Sequence, residues 1–119
     1  MSTVRSVFRA ADEMRDLAAG DVVFSEGDEG HEMFGVVSGS VTLYKGQNAV
    51  STIGPEGTFG ELALIDRSPR SLSAVATEPT QVAVINERTF LYLVHETPTF
   101  ALQVMRALAE RLRQLDPPG

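Results

Sequence analysis

The sequence predicts a mainly β protein: an antiparallel, jelly-roll-like double-stranded β-roll with an N-terminal helix and two C-terminal helices. Two observations carry this prediction. Between residues 21 and 85, short apolar segments alternate with period two and are separated by glycine-rich turns, a pattern typical of antiparallel barrels and rolls. At both ends of the chain, apolar residues recur instead at the three- and four-residue spacing of an amphipathic helix.

The N-terminal helix is predicted over residues 2–18. Polar and charged side chains such as Arg5, Asp12 and Arg15 lie on the side opposite the apolar ones. Gly20 then provides a stop signal. The apolar residues at helical spacing are Val4, Val7, Phe8, Ala11, Met14 and Ala18.

The β-roll is predicted over residues 21–85, where five apolar segments follow one another: DVVF, MFGVVSGSVTLYK, AVSTIG, SLSAVAT and QVAVI. The second segment is long enough for two strands that bend at Ser38-Gly39. The connection SEGDEGHE is rich in glycine and acidic residues, GPEGTFG is a second connection punctuated by glycines, and Glu78-Pro79 makes a turn before the last segment.

Two C-terminal helices are predicted over residues 87–115. Asn86 can cap the segment ERTFLYLV, and Thr97 is a good N-cap for a helix with Pro98 at its first position. The last helix carries an apolar stripe, which predicts packing on the roll and is broad enough for a second use as a dimer seam. The residues of the stripe are Leu102, Met105, Leu108, Ala109, Leu112 and Leu115. Arg111 and Arg113 lie near the C-terminus of this helix, where the helix dipole favours cations.

Length and composition limit the classes of function that the chain can have. The 119 residues suit one domain, 1–119, and the lack of cysteine excludes disulfides, thiolate metal sites and cysteine nucleophiles. A net charge of −6 disfavours a nucleic-acid surface, which needs clustered positive charge. No apolar run is long enough to span a bilayer, and the N-terminus lacks the apolar core of a signal peptide. We therefore expect a cytoplasmic protein with neither a membrane nor a nucleic-acid partner.

The stretch GELALIDRSPRS, residues 60–71, combines the features of an anion site. A single helical turn after Gly60 exposes unsatisfied N–H groups, and Arg70 adds a fixed positive fork that matches phosphate oxygens. Glu61 would repel a bare phosphate, but a carboxylate can accept a hydrogen bond from a ribose hydroxyl. The residues therefore favour a compact nucleotide. The alternative is a surface turn closed by a Glu61–Arg70 ion pair.

The segment FGELALIDRSPRS resembles the phosphate-binding cassette of the cyclic nucleotide-binding domain, a family that includes catabolite-activator-type regulators, protein kinase A regulatory subunits and cyclic-nucleotide-gated channels. Upstream, AGDVVFSEGDEGHEMFGVVSGSVTLY is similar to the first strands of that family. The likeness covers about residues 17–113. The sequence departs from the family pattern at Leu72, where an alanine is usual, and at His31, where an aspartate is common.

The resemblance implies a ligand, cyclic AMP or cyclic GMP, and a role for each cassette residue. Arg70 would pair with the cyclic phosphate, and Glu61 would accept from the ribose 2′-hydroxyl. Backbone groups of the cassette and the serine after the arginine would complete the contacts; these residues are Gly60, Leu62, Ala63 and Ser71. Phe59 and Leu72, which flank the cassette, are secondary ligand-binding candidates. No catalytic residue, metal ligand or cofactor is expected.

The predicted function is a cyclic nucleotide sensor that performs no catalysis and relays occupancy through its C-terminal helices to a protein partner or dimer mate. One alternative is an interaction domain that kept this fold and lost the ligand. A remote alternative is a small cupin-type metalloenzyme, but that chemistry needs several converging ligands, and His31 stands alone in the roll. The acidic loop residues Asp28, Glu29 and Glu32 lack the regular spacing of a calcium loop.

Overall fold

The computed structural model describes residues 7–9, 11 and 13–115, and confirms the predicted fold class. In this part of the chain, two four-stranded antiparallel sheets pack as a roll, with strand orders β1-β8-β3-β6 and β2-β7-β4-β5. The strands are β1 Glu13–Leu17, β2 Val22–Phe24, β3 Glu32–Ser38, β4 Val41–Lys45, β5 Asn48–Ile53, β6 Thr58–Phe59, β7 Ser73–Ala76 and β8 Thr80–Asn86. The helices beyond residue 60 are α1 Glu61–Ile65, α2 Glu87–Glu96 and α3 Thr99–Leu115.

The prediction of one helix over residues 2–18 is wrong for its second half. Residues 7–9 are helical, but Glu13–Leu17 forms strand β1, which pairs antiparallel with β8 from Glu13–Val84 to Leu17–Thr80. Five backbone pairings along the edge of the sheet outweigh a local helical pattern, because intrinsic propensity is weak against tertiary context. Residues 2–6, 10 and 12 of the predicted helix lie outside the described residues.

The sheet that contains β3 and β8 is buried on both faces. Along β8, Val82 and Val84 point into the roll, whereas Ala83 and Ile85 point towards the helices. The roll core comprises Phe24, Phe34, Val36, Val41, Leu43, Phe59, Leu72, Ala74, Val82 and Val84. The helix core comprises Val7, Phe8, Met33, Leu64, Ala83, Ile85, Leu93, Phe100 and Val104. This two-sided burial explains why VAVI and MFGVV read as continuous apolar runs.

Two close approaches depend on glycine. A Cβ on Gly35 would lie 2.5 Å from the ring of Phe8, so the absence of a side chain lets the N-terminal segment seat on β3. Gly39, at the bend between β3 and β4, has φ 84° and would place a Cβ 2.4 Å from the carbonyl oxygen of Pro79. The bend predicted at Ser38-Gly39 is thus confirmed.

The first C-terminal helix, α2, begins at its predicted cap: the Oδ1 atom of Asn86 accepts a hydrogen bond from the Thr89 amide at 2.8 Å. Helix α3 is assigned from Thr99, one residue after the proline predicted to occupy its first position. The carbonyl of Thr97 still accepts a bond from the Phe100 amide at 2.9 Å.

The prediction of which residues pack α3 against the roll is wrong for most of the residues in the apolar stripe. The helix buries Phe100, Val104 and Arg111 and half-buries Leu108, the member of the stripe that was placed correctly. The buried residues of α3 are at helical spacing, just as the predicted stripe is. Contact of Phe100 with the rings of Phe8 and Phe90 fixes which of the two sets faces inward. The exposed members of the predicted stripe are Leu102, Met105, Ala109 and Leu112. The side chain of Leu115 lies outside the described residues.

Candidate functional site

A cavity of about 160 Å³ lies between the 60–72 segment, the roll and α3. Seven of the eight predicted site residues line it: Gly60, Glu61, Leu62, Ala63, Arg70, Ser71 and Leu72. The eighth, Phe59, does not, because its ring is fully buried in the roll core and stacks on Phe34 with 5.2 Å between centroids. The wall also includes Pro69 of the same segment, and residues from elsewhere in the chain complete it: Phe24, Leu43, Leu108, Arg111 and Leu112.

Gly60 makes the turn that starts the site. It follows β6, adopts the left-handed conformation with φ 80°, and leads directly into α1, whose N-terminus has no side-chain cap. A Cβ at this position would lie 2.9 Å from Nη1 of Arg70 and 3.3 Å from the ring of Phe24. Glycine is therefore required both by the backbone angle and by the close approach of the guanidinium.

Arg70 is buried, with 5% of its surface exposed. Its amide donates to the carbonyl of Asp28 at 2.8 Å, and its Nη1 donates to the carbonyl of Gly60 at 3.0 Å. The guanidinium lies over the ring of Phe24, 4.1 Å from the centroid, which is cation–π geometry. Gly30 leaves room on another side, since a Cβ there would lie 2.4 Å from Nη2.

The guanidinium of Arg70 keeps unused hydrogen-bonding capacity. Among the buried side-chain nitrogen and oxygen atoms of the described residues, its Nε is the one without a hydrogen-bond partner. Burial lowers the pKa of Arg70, while the charges of Glu32 and Asp28 act in the opposite direction. An arginine keeps its proton in proteins, so Arg70, which lines the cavity, carries a partly desolvated positive charge and an unpartnered donor, and both favour an anion.

Glu61 is also buried, with 1% exposed, and its partner is not Arg70. Nη1 of Arg111 donates to its Oε1 at 2.6 Å, and the hydroxyl of Thr58 donates to its Oε2 at 2.8 Å. Nη2 of Arg111 donates at the same time to the Thr58 carbonyl at 2.7 Å. The Glu61–Arg70 surface pair of the alternative interpretation is therefore not formed, and both side chains are inside the molecule.

Sequence reasoning missed the part that Arg111 plays. We interpreted its position only as favourable to the helix dipole, yet it follows Val104 and Leu108 on the buried face of α3. This position on the buried face could have been recognised from the sequence as a sign of an internal ion pair, because a cation on the packing face of a helix needs an anionic partner inside the protein. The partner, Glu61, is 50 residues away in sequence.

Apart from Ser71, the rest of the cavity wall is apolar. Phe24, Leu43 and Leu72 come from the roll, and Leu108 and Leu112 come from α3. Leu72, at the position where the resemblance would place alanine, is 6% exposed and belongs to the roll core as well. The site thus has a polar end at Gly60, Glu61 and Arg70 and an apolar end against α3.

Residues 14–97 match the sequence model of a family described as the cyclic nucleotide-binding domain. The chain belongs to this family. It is 36% identical over 102 residues to the cyclic AMP receptor protein of Thermus thermophilus, covering 82% of this chain and 47% of that protein. A cAMP-dependent protein kinase regulatory subunit of Hypocrea atroviridis is 37% identical over 90 residues, which are 76% of this chain and 20% of that subunit. The chain thus spans less than half the length of these two relatives.

The cyclic nucleotide-binding domain is also similar in structure to part of the EAL enzyme Bd1971. The cAMP-bound form of that enzyme superposes with a TM-score of 0.64 at 31% identity, over 87% of this chain and 29% of the enzyme. The cGMP-bound form superposes with a TM-score of 0.66 at 30% identity, over 86% and 28%. A domain of this fold therefore occurs within the chain of an enzyme.

The residues that the structure describes contain neither a membrane-spanning helix nor a cluster of metal-binding side chains. None of the helices among them has the length and apolar character needed to cross a membrane. The same residues contain no group of three or more histidine or acidic side chains arranged to hold a metal ion. His31 is exposed, at the end of the acidic loop before β3.

Proposed function

We propose that this domain binds a cyclic purine mononucleotide, cyclic AMP or cyclic GMP, in the cavity between the cassette and α3, and relays its presence without performing chemistry. The observation that carries the proposal is the guanidinium of Arg70, which lines the cavity, is buried, and keeps an unpartnered Nε–H. A buried donor on a charged group is costly unless something satisfies it. A phosphate oxygen satisfies both the hydrogen bond and the charge.

The rest of the polar end fits the sugar phosphate. The carboxylate of Glu61 accepts from a ribose hydroxyl, the uncapped start of α1 offers the amides of Leu62 and Ala63, and Gly60 allows a close approach. The apolar end accepts the flat face of a purine. A ligand with a phosphate at one end, a hydroxyl next to it and an apolar ring beyond is a mononucleotide. Because the chain belongs to the cyclic nucleotide-binding domain family, we propose the cyclic form.

We propose further that the relay runs through α3. Leu108, Arg111 and Leu112 line the cavity from this helix, so a nucleotide that fills the cavity changes the contacts of α3 and shifts the population of its docked position. The exposed residues Leu102 and Met105 offer a protein partner or a dimer mate an apolar surface on the same helix.

Thermal melting with and without nucleotide tests the binding proposal. Ligand at a hundred times its dissociation constant adds about 2.7 kcal/mol of stability, so cyclic AMP or cyclic GMP should raise the melting temperature, and non-cyclic AMP should raise it less. Arg70→Ala should abolish the rise. Arg67→Ala is the matched control, because that arginine is on the same segment with 72% of its side chain exposed.

Two outcomes would overturn parts of the proposal. A wild-type protein whose melting temperature stays constant in millimolar cyclic nucleotide is not a sensor. The ligand-free interaction domain then becomes the better interpretation, supported by the exposure of Leu91, Tyr92 and Met105, each more than half exposed. Equal rises in the wild type and in Arg70→Ala would keep the ligand but place it elsewhere.

A further inference from the structure

We propose that Leu72 limits the room that the cavity offers to a ligand, so that a nucleotide enters only by displacing the C-terminal half of α3. The size of this one side chain then sets both the affinity of the domain and the strength with which binding is coupled to α3. This inference rests on the proposed function, because it concerns how the same cavity admits its ligand.

With α3 docked, the cavity is small for a mononucleotide. Its volume of about 160 Å³ is below the roughly 300–1,000 Å³ of cavities that bury small ligands. The polar groups proposed to hold the sugar and the phosphate lie inside it, since Glu61 and Arg70 are 1% and 5% exposed. A nucleotide that reaches them must therefore enter the cavity, and one of the walls must give way to admit it.

Leu72 is the large member of a row of otherwise small side chains. It precedes β7, and buried residues alternate from it along that strand: Leu72, Ala74 and Ala76. The leucine stands at the end of the row that reaches the cavity, where it belongs to the roll core and to the cavity wall at once. An alanine at position 72 would continue the row and leave the space of an isopropyl group to the ligand.

The wall on α3 yields more readily than the wall on the roll. Leu72 is packed inside the roll core, where close packing resists movement. On α3, Leu108 is half-buried and Leu112 is 66% exposed, so both side chains have room to move outwards. Their displacement exposes apolar surface and strains the contact of Arg111 with Glu61, and the free energy that this movement costs is lost from the affinity.

Isothermal titration calorimetry with cyclic AMP tests this role of Leu72. Leu72→Ala should bind about tenfold more tightly than the wild type, the change expected when roughly two methylene groups on α3 no longer have to be exposed. Leu72→Val should gain part of this affinity. Leu64→Ala is the matched control and should keep the wild-type affinity. Leu64 is a leucine of the same segment, equally buried at 6% exposure, but it packs in the helix core and does not line the cavity.

A double-mutant cycle with Leu112→Ala tests the coupling to α3. A smaller side chain on α3 relieves the same crowding, so Leu112→Ala alone should also bind cyclic AMP more tightly. In the Leu72→Ala background it should add less than it does in the wild type, because two substitutions that relieve one constraint are not additive. Gains that add in full would overturn the coupling to α3.

The outcomes separate this inference from the proposed function. If the wild type or Leu64→Ala binds cyclic AMP as tightly as folded Leu72→Ala does, the inference is overturned and the proposed function stands. If Leu72→Ala does not fold by circular dichroism, Leu72→Val decides, and an unchanged or weaker affinity there overturns the inference as well. Binding by Leu72→Ala but not by the wild type at millimolar nucleotide supports the inference and refutes the proposed function, whereas absence of binding to either protein refutes both.

Discussion

Among the described residues, two arginines are buried, Arg70 in the cassette and Arg111 on the C-terminal helix, and they are held in opposite ways. Arg111 meets a carboxylate at 2.6 Å and a backbone carbonyl at 2.7 Å. The guanidinium of Arg70 donates to one backbone carbonyl and lies over the ring of Phe24, and its Nε has no hydrogen-bond partner. A buried cation with a bonded anion belongs to the fold, whereas one with free capacity is available to a ligand. Arg111 should therefore matter first for stability, and Arg70 first for binding.

The largest effect expected is on the stability of Arg111→Met. Removing one member of a buried ion pair leaves the other charge uncompensated, so the free energy of unfolding should fall by about 3–5 kcal/mol. Urea denaturation followed by circular dichroism measures it, with Arg113→Met expected to change stability by less than about 0.5 kcal/mol. Equal losses in the two variants would mean that the Glu61–Arg111 contact contributes little.

Arg70→Met should show the reverse pattern. Methionine keeps the packing against Phe24 and removes a desolvated charge, so the free energy of unfolding should change by less than about 1 kcal/mol. Nucleotide affinity should drop at least tenfold, because a charge-assisted hydrogen bond worth about 1.5–3 kcal/mol is lost. The same urea titration, with and without cyclic AMP, measures both. A loss of stability as large as that of Arg111→Met would contradict the division of roles.

Gly30→Ala should produce a smaller effect that sharpens the comparison. A Cβ at residue 30 would lie 2.4 Å from Nη2 of Arg70, so the guanidinium must shift, and this long side chain can do so without unfolding the protein. We expect about a tenfold loss of nucleotide affinity with little change in stability. Gly54→Ala is the control, since a Cβ there meets nothing within 4 Å. Wild-type affinity in Gly30→Ala would show that the orientation of Arg70 is not limiting.

The sequence predicted well those features whose partners are close along the chain. The residues of the cassette that line the cavity fall within thirteen positions, and the caps and turns around them act over three or four residues, so local patterns were enough. The alternating apolar segments likewise predicted the roll, because period two is a property of each strand by itself.

The errors came from contacts between distant segments. Strand β1 was interpreted as helix because its partner, β8, begins more than sixty residues later, at Thr80. Arg111 was assigned to the helix dipole because nothing near it in sequence points to Glu61. The inward face of α3 was misplaced because two apolar stripes had the same spacing, and only the rings around Phe100 select between them.

The apolar character of both faces of β3 and β8 has a consequence for folding accuracy. In most sheets a one-residue slip is forbidden because it would turn polar side chains into the core. Here such a slip would replace one set of apolar side chains in the core by another, so side-chain polarity does little to prevent it. The shapes of the packed side chains must therefore fix the register. Gly35, beneath Phe8, is the position where a slipped valine or phenylalanine would collide. Because Gly35 also pairs with Thr58, the alignment of β3 sets where the cassette begins.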